Sequence, residues 1–115
     1  MNNQAGVVVH VDEAAETKHE AVLRNISNLM DDLGTGTTVE VVAHGPGIGL
    51  VLTDSPYADT VQGLIARGVV IAACENTLAM KSIPPSSVAP GVITVPAGVG
   101  ELVRKQREGW AYLRP

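Results

Sequence analysis

Four short runs of apolar, mostly β-branched residues constrain this chain more than any other feature. They cover residues 6–11 (Gly6-Val7-Val8-Val9-His10-Val11), 38–43, 69–73 (Val69-Val70-Ile71-Ala72-Ala73) and 92–95. A strand that is apolar at successive positions has to be covered on both faces, as strands of parallel sheets are. Each run is followed by a segment with helical spacing, and residues 110–113 supply a last short strand. The resulting β-α-β-α-β-α-β-α-β order predicts an α/β fold, with a mainly parallel sheet, helices on both faces and right-handed crossovers. No linker or internal repeat divides residues 1–115, so one domain is expected.

The helices carry their own punctuation. Thr17-Lys18-His19-Glu20 has the spacing of a capping box. Val22, Ile26, Leu29, Met30 and Leu33 follow at helical spacing, and Gly34 ends the helix. Ser55-Pro56 reads as the N-cap and first position of a second helix, closed by Gly68. Leu78-Ala79-Met80-Lys81 reads as a short helix, and Val99 to Val103 opens the last, which Gly109 ends. His19 is expected on an exposed helix face, and Arg104-Lys105-Gln106-Arg107 on a solvated one.

Composition narrows the function classes. The chain of 115 residues has a net charge of −4, no Phe and one Trp, with no basic cluster, so nucleic acid is not an expected partner. No apolar run nears the ~20 residues a membrane span needs, and no membrane partner is expected. Met1-Asn2-Asn3-Gln4-Ala5 lacks the features of a signal peptide, and the expected location is the cytoplasm. A single cysteine, Cys74, excludes an intrachain disulfide framework and a Cys-rich metal centre.

Cys74 stands where the third apolar run gives way to a helix. In parallel sheets, ligands and chemistry gather at the carboxyl ends of strands. A thiol there can be drawn toward thiolate by the helix N-terminus that follows. Two other strand ends carry polar groups that can share the crevice, His10-Val11-Asp12-Glu13 and His44-Gly45. Cys74 is the candidate nucleophile and His44 its candidate base or cation partner. Asn76 and Thr77 are natural caps of the next helix and candidate substrate contacts. Gly45-Pro46-Gly47-Ile48-Gly49 follows a strand but matches neither dinucleotide nor P-loop spacing. It reads first as a tight turn, with Gly45 and Gly47 as candidate amide donors to a small anion. Glu75 opposes thiolate formation if it faces Cys74. His10, inside a strand, reads as a packed, satisfied imidazole. With no ligand pair such as CxxC or HxxxH, neither a metal nor another cofactor is expected.

Three segments together carry a resemblance. They are Val41-Val42-Ala43-His44-Gly45-Pro46-Gly47, then Gly68-Val69-Val70-Ile71-Ala72-Ala73-Cys74-Glu75-Asn76-Thr77-Leu78, and the carboxyl-terminal Gly109-Trp110-Ala111-Tyr112-Leu113-Arg114-Pro115. With the order of elements, they resemble the DsrE/DsrF-like family over nearly the whole chain, and its less characterised branch above all. The resemblance implies a three-layer α/β/α sandwich on a five-stranded, mainly parallel sheet. It implies homo-oligomers, as trimers or hexamers, and sulfur relay through a cysteine corresponding to Cys74, which takes sulfane sulfur as a persulfide. With no second thiol in the chain, sulfur would leave to a partner's thiol or a small acceptor. Donor and acceptor proteins are the partners this implies. Two rival readings stand beside it. One is a non-catalytic oligomeric module that binds a small anion or nucleotide-like ligand at the strand ends. The other is a structural oligomer with an inert thiol. Leu50-Val51-Leu52 and the aromatic carboxyl-terminal end are candidate interface surface.

Overall fold

A computed structural model describes residues 5–115; the first four residues of the segment read for a leader lie outside it. Strands β1 (Val7–Val11), β2 (Val39–Ala43), β3 (Val70–Cys74), β4 (Ile93–Val95) and β5 (Ala111–Leu113) alternate with helices α1 (Glu16–Leu33), α2 (Ala58–Ala66), α3 (Glu75–Met80) and α4 (Gly98–Arg107). The sheet has the order β4-β3-β2-β1-β5, and every pair in it is parallel. No helix among the described residues is long and apolar enough to cross a membrane.

The strand order explains the layers. From β1 to β4 the chain moves steadily toward one edge, and β5 then returns to the far side of β1. Right-handed crossovers in opposite directions put their helices on opposite faces. One face therefore carries α1 and α2: Val22, Leu23 and Ile26 of α1 and Val61 and Leu64 of α2 pack with Val7, Val9, Val39, Val41 and Ile71. The other carries α4, whose Leu102 packs with Val8, Val42 and Trp110.

Several local expectations are corrected. Thr17 is not a cap; α1 starts at Glu16 with Ala15 before it and no side-chain cap. His19 is buried rather than exposed, because its Nε2 meets the Glu13 carbonyl at 2.6 Å and ties the β1–α1 connection to the helix. Ser55 sits one turn ahead of α2, where its hydroxyl accepts from the Tyr57 amide at 3.1 Å; the helix itself begins at Ala58. Leu50 and Val51 lie in a 3₁₀ turn, Gly45–Val51, and are buried in the main core, so they are not interface surface. Trp110 packs against the smaller core cluster, and Tyr112 is exposed. Lys105 is not solvated: its ammonium lies 4.6 Å above the Trp110 ring and 3.7 Å from Glu40.

Glu40 is the anomaly of the core, a buried carboxyl in the middle of β2. Its Oε2 has no donor facing it. The atom is satisfied when the carboxyl keeps its proton and donates to neighbouring Glu101. Burial is the main cause that pushes Glu40 up to about 8, with Glu101 adding to it and Lys105 opposing. Glu101, which receives that bond and faces Arg104, is held below the usual carboxylate range. A raised folded-state pKa gives stability that is full below the unfolded value of 4.5 and is lost as pH rises through about 8. Glu40→Gln keeps a donor toward Glu101 at every pH. Melting curves from about pH 5 to about pH 9 should therefore fall less steeply for the variant, leaving it more stable than the parent at the alkaline end by about 1 kcal/mol or more. Parallel curves for the two proteins would contradict the shared proton.

Candidate functional site

Strand periodicity assembles the site. Side chains two apart share a face of a sheet. In register, His10 lies beside Val42, and Ala72 also pairs with Val42. Continuing β2 and β3 by two residues from that row puts His44 (after β2) and Cys74 (end of β3) on the same face as His10 (β1), toward the carboxyl edge. It is the face that α4 covers. Gly98, the first residue of α4, lies directly above: a β-carbon there would stand 2.9 Å from His44 Cβ and 3.4 Å from Cys74 Cβ.

Cys74 ends β3 and caps α3 with its own sulfur, a role the sequence suggested for Asn76 or Thr77. The Thr77 amide donates to Sγ at 3.4 Å and the Gly98 amide at 3.2 Å. Cys74 as a whole is only 5% exposed. Burial pushes the thiol up. The Thr77 hydroxyl and the amides of Gly98, Thr77 and Asn76 outweigh that, and the thiol is held below its ordinary value. Donors aimed at the sulfur are better satisfied by an anion than by S–H, which is why they win. Glu75 does not interfere; its Oε2 accepts from the Thr94 hydroxyl at 2.7 Å, on the exposed side of the strand end.

The remaining sequence candidates divide. The Gly45 amide donates to the Thr77 hydroxyl at 2.9 Å, and the Gly47 amide to the His44 carbonyl at 3.0 Å. Gly47 also lies against the Val11 carbonyl, where a side chain has no room. These two glycines build the turn. The Asn76 amide donates to the Pro96 carbonyl at 3.2 Å, which ties α3 to the segment ahead of α4. His44 directs Nε2 not at the thiol but at His10 Nε2, 2.6 Å away, with the two rings stacked. His10 Nδ1 in turn meets the Tyr112 hydroxyl at 2.6 Å. Asp12 places Oδ2 3.8 Å from His10 Nε2. Burial is the main cause holding His10 below its ordinary pKa; Asp12 opposes this, while His44 and Arg114 add to it.

That the strand ends bearing His10, Asp12 and His44 can share a crevice was legible beforehand; Gly98, Tyr112 and the direct contact of His10 with His44 were not. His10 and His44 share side-chain parity in adjacent strands, but that signal needs the strand order and register.

The comparisons bear on this arrangement. The sequence profile of the DsrE/DsrF-like family matches residues 5–115. The chain belongs to the DsrE/DsrF-like family. As a member of that family, which is associated with sulfur relay, it shares the fold of several solved proteins. A protein of unknown function from Methanobacterium thermoautotrophicum is 40% identical and superposes with a TM-score of 0.93, over 96% of this chain and 99% of that one. The ychN protein from E. coli is 13% identical, with a TM-score of 0.77 over 96% and 99% of the two chains. A conserved protein of unknown function from Bacteroides thetaiotaomicron, also 13% identical, has a TM-score of 0.79 over 100% and 98%. The last two likenesses concern the fold alone. Among curated proteins there is no match.

Proposed function

We propose that this DsrE/DsrF-like protein is a sulfur carrier that accepts sulfane sulfur on Cys74 as a persulfide and delivers it to a partner thiol. The observation that carries the reading is the pair of backbone amides, from Thr77 and Gly98, aimed at the one thiol sulfur in the chain. In the loading step the Cys74 thiolate attacks the outer sulfur of a donor R–S–SH. The donor S–S bond breaks, its electron pair leaves with R–S⁻, and Cys74–S–SH forms. In the delivery step an acceptor thiolate attacks the outer sulfur of Cys74–S–SH, and Cys74 leaves as the thiolate that the amides stabilise. Both steps are thiol–disulfide-type exchange and need no net oxidant. His44 packs beside Gly98 as Cys74 does, but its Nε2 is engaged by His10, so the amides rather than the imidazole are the groups that hold the thiolate. A homotrimer or homohexamer fits this chemistry by shielding the persulfide; exposed Val99, Val103 and Tyr112 supply apolar surface for such contacts. The glycine turn gives less support to an anion module, since the Gly45 and Gly47 amides are spent inside the protein.

Intact mass after incubation with inorganic polysulfide, in the presence of a chelator, tests the reading. A gain of one sulfur atom, ~32 Da, reversed by a reducing thiol, is expected because the thiolate is the reacting species. Cys74→Ser should show no gain while still folding, since serine is itself a preferred N-cap. An unmodified parent protein, or a gain that persists in the serine variant, overturns the proposal.

A further inference from the structure

The order of strands reverses between β1 and β5, and in open parallel sheets the crevice at such a reversal is where ligands bind. The carboxyl end of β1 opens there, and His10, Asp12 and His44 meet in it. One ligating atom from each lies within 4.8 Å of the others. The residues are half-buried, with the side chains of His10 and Asp12 13% and 25% exposed.

We propose that His10 Nε2, His44 Nε2 and Asp12 Oδ2 form a binding site for one divalent transition-metal ion of the zinc class. The donor set is chemically apt: imidazole suits zinc and its neighbours, and two imidazoles with one carboxylate leave further positions open to an exogenous ligand. Two features outside the ligand set look like the support that metal sites require. The Tyr112 hydroxyl lies 2.6 Å from His10 Nδ1, and when it accepts the Nδ1 proton it leaves a lone pair on Nε2. Arg114 holds the other oxygen of Asp12, with Nε 3.3 Å from Oδ1. This leaves Oδ2 directed toward His10. Both supporting side chains come from β5 or the residue that follows it, the strand on the far side of the reversal. An ion about 2.0–2.1 Å from each nitrogen needs ligand atoms roughly 3.3 Å apart. The two nitrogens stand 2.6 Å apart, so the rings part by about 0.7 Å to admit it. Without an ion the same contact is a hydrogen bond between one protonated and one bare nitrogen, and that is the rival explanation.

The inference goes beyond the sulfur-carrier reading and does not need it. The two share His44, whose Nε2 a bound ion would take. They are tested apart, because metal binding is measured with no sulfur donor and persulfide formation with a chelator present.

The experiment is a zinc titration of the full chain in competition with a chromophoric chelator, followed by the visible spectrum with Co²⁺. One equivalent should bind. His10→Ala and His44→Gln should each weaken binding by about 100-fold or more, and Tyr112→Phe by about 10-fold, as loss of a supporting partner does. Cys74→Ser should hold affinity within about threefold, since sulfur is outside the set. The cobalt spectrum should show d–d bands and no sulfur-to-cobalt charge transfer. Melting curves establish that each variant is folded. No binding by the parent protein, binding that survives His10→Ala, or a sulfur-to-cobalt band that disappears in Cys74→Ser each overturns the proposal; the first leaves the histidine contact as a hydrogen bond.

Discussion

Gly47→Ala should lower stability by about 3 kcal/mol or more, with a fall in Tm of more than about 10 °C, or abolish folding. The new β-carbon would stand 2.4 Å from the Val11 carbonyl oxygen, 2.7 Å from its carbon and 2.9 Å from the Asp12 amide nitrogen. These are backbone atoms at the end of β1, and they cannot give way as a side chain does. Val11 is in register with Ala43 of β2, so moving the end of β1 strains that ladder. The Val11 carbonyl also accepts from the His44 amide at 3.1 Å, so the clash falls on the bond that sets His44. Gly49→Ala, two residues on, is the control, because a β-carbon there meets nothing within 4 Å. It should change stability by less than about 1 kcal/mol. Equal effects from the two substitutions would mean that the glycine turn does not pack on β1 as described.

Gly98→Ala should damage chemistry more than stability. Its β-carbon would crowd His44 at 2.9 Å and the Cys74 β-carbon at 3.4 Å. The start of α4 then has to rise, and it takes with it the amide that donates to the sulfur at 3.2 Å. Overpacking of this kind costs about 1–3 kcal/mol. A hydrogen bond to a charged group is worth about 1.5–3 kcal/mol, so the thiol should react about tenfold more slowly at neutral pH. The direction is fixed by burial, which pushes Cys74 up once an opposing amide is withdrawn. Unchanged reactivity in a folded Gly98→Ala would show that the α4 amide does not act on the sulfur.

The fold was largely legible because its signal is local. Runs such as Val39-Glu40-Val41-Val42-Ala43 are buried at every position, and the helical stretches between them are long enough for crossovers. Capping was less legible. Thr17 and Ser55 have the right residue type, but Thr17 falls inside α1, which starts at Glu16, and Ser55 takes the Tyr57 amide ahead of α2, which starts at Ala58. Cys74 was legible as a strand-end thiol. Its second donor was not, since Gly98 lies 24 residues away and reaches the sulfur only because α4 crosses the opposite face of the sheet. The same holds for His10 and His44, 34 residues apart and joined by register alone. Local pattern thus gave the elements, and the reversal of strand order gave the site.

The most direct test of the account is the pH dependence of Cys74 alkylation by a small neutral electrophile, which follows the thiolate fraction. The midpoint should lie below that of an ordinary thiol in the parent protein and shift upward in Gly98→Ala. A midpoint at or above the ordinary value in the parent would contradict it, because a buried sulfur that the amides of Thr77 and Gly98 do not hold as an anion is an inert thiol.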